Sequence, residues 1–332
     1  MKTLPQPVLL MIVLLALPRF AIAQAYTVTD LGNFSPSAIN NAGQVVGDDT
    51  LWDRSKITTI PRLVTNCHAK AINNGGEIIG TSASNMIQAM EEVNDHAFSW
   101  KNGLLRDLGR PAKATDYFYP AGINDEGQIV GASYPSPYLW ENGHFTRLKV
   151  LPKRWPDGPI NSGASGINNH GQIVGYAYLL NGESYGVLWQ GGNLIRLARL
   201  HNGRQGGAIA INDQGQIVGT SGVANSKAIH AVIWQNGKCV DLGLLLGQTD
   251  SVALAINNAG EVVGTSTRVA QRRYVSQAFF WSGGRMLDLT ALLPPRSGWL
   301  LESATGINDQ GQIVGTGLFH GRQAGFLLTP KL

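Results

Sequence analysis

Short apolar and polar runs alternate along this chain, and one arrangement of them recurs seven times. Each copy begins with a small residue followed by Ile-Asn, and then passes through a tight Asn-x-x-Gly turn into an apolar pair and another Gly. A further apolar stretch follows, and it ends in Trp in six of the copies. Short apolar runs bounded by Asn and Gly predict β-strands. The Ile-Asn pairs begin at Ile39, Ile72, Ile123, Ile167, Ile211, Ile256 and Ile307.

One copy predicts four strands, which we name A to D in chain order. Strand A is the segment of the small residue and Ile, and Asn-x-x-Gly makes the A–B turn. Strand B is the segment that ends in the apolar pair and its Gly, strand C ends at Trp, and a Gly-containing turn leads into strand D. Successive Asn residues are 33 to 51 residues apart, which is the size of one propeller blade. The sequence therefore predicts an all-β fold, a seven-bladed β-propeller of four-stranded blades.

Two details favour a closed ring over an open array. The residue before each Ile is always Ala or Gly, as crowding of the innermost strands around an axis would require. The seventh copy stops after strand C, at residues 326–328, whereas residues 26–32 resemble a strand D with no preceding A, B or C. We expect that N-terminal strand to complete the last blade, because closure satisfies two exposed strand edges. Residues 24–332 would then form a single domain.

The first 23 residues have the pattern of a signal peptide. Lys2 precedes an apolar core at residues 8–17, and Ala21 and Ala23 offer a cleavage site, with Ala25 as a second choice. The core is too short to span a bilayer, and no Cys follows it, which argues against a lipid anchor. We expect a secreted or periplasmic protein with no stable membrane insertion.

Composition excludes several classes of protein. With 43% hydrophobic and 14% charged residues, the chain is neither disordered nor a helical bundle. Removal of the signal peptide leaves 24 basic residues against 22 acidic ones, which is too even a balance to indicate a nucleic-acid partner. Cys67 and Cys239 lie on non-adjacent copies, so we expect free thiols. We expect a monomer.

The segment His96-Ala97-Phe98, followed by Trp100, Asn102-Gly103 and an Asp-Leu-Gly at residues 107–109, resembles the HAF repeat family. The Ile-Asn-x-x-Gly-Gln-Ile-Val-Gly element belongs to the same pattern, and together they cover essentially the whole mature chain. The triplet is complete once; partial copies are His230-Ala231-Val232 and Gln277-Ala278-Phe279. The resemblance implies an extracellular bacterial repeat protein and supplies no catalytic residues.

The repeated polar and aromatic residues have structural explanations. Asn before a tight turn caps its own backbone, and this role outweighs a ring of amides around a ligand. Trp at the end of strand C in six copies indicates packing between blades more than a row of sugar platforms. The Asn-Asp turns, such as Asn124-Asp125, offer one carboxylate each, too few for calcium. We expect no metal and no cofactor, and no catalytic motif is present.

Strand order separates the two ends of such a propeller. The A–B and C–D turns lie on one face, here called the turn face. The B–C loops and the crossovers from D to the next A lie on the other, the loop face. The turns are short and uniform, whereas the loops vary in length, and variable loops more often carry recognition.

Candidate binding residues therefore lie in the long loops. Trp155 and Trp299 lie outside the repeated position, with basic residues near them, so they either stack on a ligand or fix their own loops. For Tyr117 and Tyr119, the role of fixing their own loop is the favoured interpretation. Tyr274 and Arg268 lie in the B–C loop of blade six, together with the candidates Arg272 and Arg273. The candidate binding residues are Trp155, Trp299, Lys153, Arg154, Arg272, Arg273, Arg296, Tyr117 and Tyr119.

The pattern favours a secreted, non-catalytic binding or interaction module for a glycan or an extracellular protein. The first alternative is an enzyme that acts on an extracellular polysaccharide, with loop carboxylates as its acid and base. A purely structural surface repeat protein is the second alternative, and the differing loops argue against it. The loop carboxylates are Glu91, Glu92, Asp116 and Asp157.

Overall fold

In a computed structural model, residues 26–83, 95–112, 117–152, 159–200 and 203–331 are described, and they form 28 strands and one 3-10 helix, Leu289–Leu292. The first strands are β1 (Tyr26–Gly32), β2 (Ala38–Ile39), β3 (Val45–Gly47), β4 (Thr50–Asp53), β5 (Lys56–Thr59), β6 (Asn66–Ile72), β7 (Ile78–Ala83), β8 (His96–Lys101) and β9 (Leu104–Asp107). The next are β10 (Tyr119–Ile123), β11 (Ile129–Ser133), β12 (Ser136–Glu141), β13 (His144–Arg147), β14 (Pro159–Ile167), β15 (Ile173–Leu179), β16 (Ser184–Gln190), β17 (Asn193–Arg196), β18 (Gly206–Ile211) and β19 (Ile217–Gly222). The last are β20 (Ile229–Gln235), β21 (Lys238–Gly243), β22 (Asp250–Ile256), β23 (Val262–Ala270), β24 (Arg273–Ser282), β25 (Arg285–Asp288), β26 (Trp299–Ile307), β27 (Ile313–Phe319) and β28 (Arg322–Pro330).

The strands form seven four-stranded antiparallel sheets, one for each repeat. Blades one to six take consecutive groups of four strands from β2 to β25, and blade seven has the order β1-β28-β27-β26. In that last sheet Tyr26 pairs with Pro330 and Asp30 with Phe326. The predicted seven-bladed propeller, closed by the N-terminal strand, is confirmed.

The inner strands approach one another closely at the small residue before each Ile. A Cβ added to Gly122 would lie 3.1 Å from the Cα of Gly166, and one on Gly166 would lie 3.4 Å from the Cα of Ala210. These three residues belong to consecutive blades. Larger side chains at this position would force the inner strands apart, which explains the unbroken run of Ala and Gly.

The Gly that follows the apolar pair is required by a second close approach, between strands A and B of the same blade. In six blades strand A carries an irregularity opposite this Gly, as between Ala69 and Ala71. A Cβ on Gly80 would lie 2.2 Å from the carbonyl oxygen of His68, a distance no side chain can occupy. The sequence placed this Gly at the end of strand B. That boundary is wrong in blades two to seven, where strand B continues for two or more residues past it.

The Trp residues that end strand C pack between blades, as predicted. Trp100, Trp140, Trp189 and Trp234 are buried. Trp189 of blade four packs in one cluster with Val130 of blade three, and its indole Nε1 donates to the carbonyl oxygen of Lys149, 2.7 Å away in the preceding crossover. Trp189 and Trp234 thus contribute both apolar burial and a hydrogen bond at the junction of two blades, whereas the buried Trp100 Nε1 has no hydrogen-bond partner among the described residues.

Cys67 on β6 and Cys239 on β21 are both free, as expected from their positions on blades two and five. Burial raises the pKa of each thiol to about 11. Among the described residues no helix is long and apolar enough to cross a membrane.

Candidate functional site

The repeated Asn that follows strand A has two roles at the turn face. The Oδ1 of Asn168 accepts from the backbone N–H groups of His170 and Gln172, at 3.1 and 2.9 Å, which caps the A–B turn as predicted. Its Nδ2 donates to Gln172 Oε1 at 2.7 Å and also to the carbonyl oxygen of Asn212 at 3.0 Å. Asn212 is the matching residue of the next blade, so the side chain also joins two blades.

This bond between blades recurs at every junction and forms a closed circle. Each Asn donates through Nδ2 to the carbonyl oxygen of the next, at 2.9–3.2 Å, and the last bond runs from Asn308 to Asn40 across the junction of the first and last blades. All seven side chains are buried. Their amide groups are committed to the fold, so they are not a ligand-binding ring. The members are Asn40, Asn73, Asn124, Asn168, Asn212, Asn257 and Asn308.

The next residue in each blade forms a second circle. Its backbone N–H donates to the Oδ1 of its counterpart in the following blade, at 2.8–3.0 Å. Side chains add further bonds: Asn169 donates to Asp125 Oδ2 at 2.9 Å and to Asp213 Oδ2 at 3.1 Å. The Asp residues that a calcium loop would have used are thus held by amides of neighbouring blades. The members are Asn41, Asn74, Asp125, Asn169, Asp213, Asn258 and Asp309.

These two circles surround a shallow depression of about 230 Å³ at the axis. The opposite end of the axis opens into a larger cavity of about 690 Å³, lined mainly by Ala, Gly, Ile and Pro of the inner strands. Tyr119 lies at this loop-face mouth, and its hydroxyl donates to Asp95 Oδ2 at 3.4 Å. Tyr117, half-buried, comes two residues earlier. The axial cavity offers few polar groups for recognition.

A side cleft of about 850 Å³ lies between blades four and five. There the guanidinium carbons of Arg196 and Arg199 lie 4.6 and 4.0 Å from the ring centre of Tyr185. Arg199 also pairs with Glu183 at 3.3 Å. A hydrogen bond from Tyr185, together with Arg199, holds the pKa of Glu183 below its usual value. The charged groups here already satisfy one another.

A groove of about 780 Å³, the 6–7 groove, opens on the loop face between blades six and seven. One wall is the β23–β24 hairpin, which turns at Gln271 and Arg272 with φ of 48° and 62°. The other wall is the start of β26 and the end of β27. The residues that line the groove include Leu246, Gln248, Arg268, Tyr274, Gln277, Asp288, Thr290, Leu300 and Glu302.

A relay of hydrogen bonds orders the polar side chains of this groove. Asp288 Oδ1 accepts from the backbone N–H of Thr290 at 2.8 Å, and its Oδ2 accepts from Gln277 Nε2 at 3.1 Å. Gln277 must therefore turn its Oε1 away, and there it accepts from Gln248 Nε2. The relay leaves Gln248 Oε1 as a buried acceptor with no donor among the described residues.

The Gln277–Asp288 pair has counterparts in other blades. His96 Nδ1 and Asp107 Oδ2 lie 2.8 Å apart in blade two, and His230 and Asp241 have the same separation in blade five. The first residue of the His-Ala-Phe triplet, and of its partial copy in blade five, thus contacts the Asp of strand D. Blade six replaces its His with Gln, whose amide extends the contact into the 6–7 groove.

The described candidate residues occupy different surroundings. Arg272 and Arg273 are exposed at the tip of the hairpin that walls the 6–7 groove. Arg296 is exposed in a turn with φ of 62°, three residues before Trp299. Trp299 is buried and stacks on Phe319 with ring centres 5.0 Å apart. Its ring cannot stack on a ligand, so the loop-fixing alternative holds for Trp299.

The remaining candidates lie outside the described residues: Lys153, Arg154, Trp155, Glu91, Glu92, Asp116 and Asp157. Sequence reasoning missed Gln248, Gln277, Asp288 and Glu302, which come from separate stretches of the chain. The one available signal was the Gln in place of His at position 277.

Comparison with known proteins supports the architecture alone. No protein-family model and no curated protein matches the sequence. Among solved structures, the β-propeller domain of the Trilobed protease from Pyrococcus furiosus is 10% identical with a TM-score of 0.52, covering 93% of this chain and 95% of that one. The likeness shows the fold.

Two further structures are more distant in geometry. A gluconolactonase from Xanthomonas campestris is 10% identical with a TM-score of 0.43, covering 92% of this chain and 90% of that one. Trypanosoma rangeli sialidase is also 10% identical, with a TM-score of 0.44, covering 91% of this chain and 59% of that one. The Trilobed protease domain is described as an open velcro propeller, whereas β1 closes the ring here.

Proposed function

We propose that this protein is a non-catalytic binding module that presents its loop face to a glycan or protein partner. The contrast between its two faces carries the proposal. At the turn face, the buried Asn of every blade is used in the circle of bonds between blades. The loop face carries the 6–7 groove and the variable loops. A scaffold with one self-satisfied face leaves the other for recognition.

A test of this proposal blocks one face at a time. Leu246→Cys places a thiol on the loop face, and Leu104→Cys places one on the turn face; both side chains are more than 60% exposed. The native thiols have raised pKa values of about 11, so an exposed cysteine reacts first near neutral pH. Each variant of residues 24–332 is coupled to a bulky polyethylene glycol and screened on an array of glycans and polyanions.

We expect ligands that bind the unlabelled protein to be lost from the loop-face conjugate and kept by the turn-face conjugate. Equal binding by both conjugates would contradict the proposal, and loss from the turn-face conjugate alone would reverse the assignment of faces. Shortening of a bound polysaccharide, detected as new reducing ends, would favour the enzyme alternative. Asp116→Asn and Asp157→Asn would then test the loop carboxylates.

Export and membership of the HAF repeat family are part of the same proposal. The signal-peptide pattern of residues 1–23 supports export, and the Ile-Asn and His-Ala-Phe motifs support the family. Expression in a bacterial host followed by fractionation tests export: the exported chain should begin at Gln24. A full-length chain retained in the cytoplasm would contradict it.

A further inference from the structure

Three exposed large apolar side chains, Leu246, Tyr274 and Leu300, line the 6–7 groove. Leu246 is fully exposed, Tyr274 is 80% exposed, and Leu300 across the groove is 60% exposed. The first two are the most exposed large hydrophobic side chains among the described residues. Clustered apolar exposure beside a concave surface marks a place where a ligand packs.

Polar groups that suit hydroxyls lie beneath this apolar rim. The relay from Asp288 through Gln277 fixes the orientation of Gln248 and leaves Gln248 Oε1 without a donor. A buried carbonyl oxygen is nearly always satisfied by a donor. A hydroxyl can donate to such an acceptor, whereas a sulfate or a carboxylate cannot. The relay therefore disfavours an anionic ligand.

The charged residues of the groove also disfavour an anionic ligand. Asp288 and Glu302 line it, and Gln323 Nε2 donates to Glu302 Oε2 at 3.0 Å. Among the described residues that line the groove, Arg268, exposed on the hairpin, is the single basic one; Arg272 and Arg273 lie at the hairpin tip, outside the lining. Two carboxylates against one arginine repel an anion, but both accept hydrogen bonds from neutral hydroxyls.

We propose that the 6–7 groove binds a neutral oligosaccharide, with Tyr274 stacking on a sugar ring and the Gln248, Gln277 and Glu302 side chains bonding its hydroxyls. A volume of about 780 Å³ is within the usual range for ligand pockets. An aromatic face takes the apolar side of a sugar ring, while the amides and carboxylates take its rim of hydroxyls. This inference rests on the proposed function and names the ligand class of its loop face.

The test titrates purified residues 24–332 with soluble oligosaccharides of glucose, mannose, galactose or xylose, followed by calorimetry. Tyr274→Ala should weaken binding about ten- to a hundredfold, as expected when one stacked aromatic side chain is removed. Tyr274→Phe keeps the ring and should retain most of the affinity. Glu302→Gln keeps the shape and should weaken binding about tenfold, because a charged acceptor forms stronger hydrogen bonds. Tyr178→Ala, a control at a 48% exposed tyrosine of blade four, should change nothing.

Three outcomes would overturn the inference. If the protein binds none of these sugars, its ligand is not a neutral oligosaccharide. If Tyr274→Ala and the unchanged protein have equal affinity, the sugar does not bind in the 6–7 groove. Stronger binding to sulfated or uronic-acid oligosaccharides than to neutral ones removes the argument from charge. In each case the face-blocking experiment decides separately whether the loop face binds a different ligand.

Discussion

Asn168→Asp separates the two roles of the repeated Asn. Asp caps a tight turn about as well as Asn, because the cap needs only the Oδ1 acceptor. The bond to the next blade needs the Nδ2 donor, which Asp lacks. We therefore expect the substitution to keep the A–B turn of blade four and to break its link to blade five.

The structure sets the expected size of this effect. Asn168 loses two donor bonds, to Gln172 Oε1 and to the carbonyl oxygen of Asn212. A typical hydrogen bond contributes about 1 kcal/mol net, and a buried carbonyl left without a donor costs about 1–3 kcal/mol more. We expect Asn168→Asp to lower the free energy of unfolding by about 3–5 kcal/mol. The buried carboxylate of Asp would also face these two oxygens, whereas Asn168→Ala lacks both that charge and the cap, so we expect a similar loss of stability for Ala.

Equilibrium urea denaturation, followed by tryptophan fluorescence, measures this change as a shift in midpoint at constant slope. Asn181→Ala is a matched control, because its Oδ1 caps a loop-face turn at 2.9 Å with no bond to another blade. Its loss should be about 0.5 kcal/mol, as at other surface positions. If Asn168→Asp is no less stable than this control, the circle of bonds does not hold the blades together.

Three further predictions concern single residues. Gly219→Ala should abolish folding, since its Cβ would lie 2.1 Å from the carbonyl oxygen of Gly207; soluble yield and circular dichroism check this. Burial raises the pKa of Tyr26 on the closing strand to about 12, so its contribution to stability is complete below pH about 10 and is lost as the pH rises towards 12. Tyr26→Phe should therefore reduce the alkaline loss of stability, measured by denaturation from pH 9 to 12; an unchanged profile would contradict this role of Tyr26. Cys67 and Cys239 should alkylate slowly in the folded protein at neutral pH and rapidly in urea, and mass spectrometry without reductant should find no disulfide.

The fold was predictable because each blade repeats its own short-range signals. The seven copies of the Ile-Asn pair predicted the number of blades, their spacing predicted the size of each blade, and the unpaired strand at residues 26–32 predicted the closure. The tiny residue before each Ile predicted the crowding seen between Gly122 and Gly166. Each of these signals depends on neighbours in the chain or on a property common to all blades.

The site was less predictable because its residues come together only in the folded ring. Gln248 lies on the crossover into blade six and Glu302 on the first strand of blade seven, and nothing near either residue in sequence indicates a shared groove. Trp299 shows a related problem: its isolated position left ligand stacking and loop fixing both open, and the structure shows that Phe319 on the neighbouring strand covers it. Loop length located the face, whereas burial decided which of its residues are available.

The second circle of the turn face has a property that follows from counting. Its members run Asn, Asn, Asp, Asn, Asp, Asn, Asp around the axis, and two kinds of residue cannot alternate without a break in a ring of odd size. The break falls between Asn41 and Asn74. There the amide oxygen of Asn74 accepts the hydrogen bond from the backbone N–H of Asn41, whereas at three of the other junctions an Asp carboxylate oxygen is the acceptor. If the two adjacent residues of the same kind were Asp instead of Asn, two negative charges would lie side by side. Without blade one, the six remaining residues would alternate perfectly, so this blade carries the odd member that makes a ring of seven compatible with separated charges.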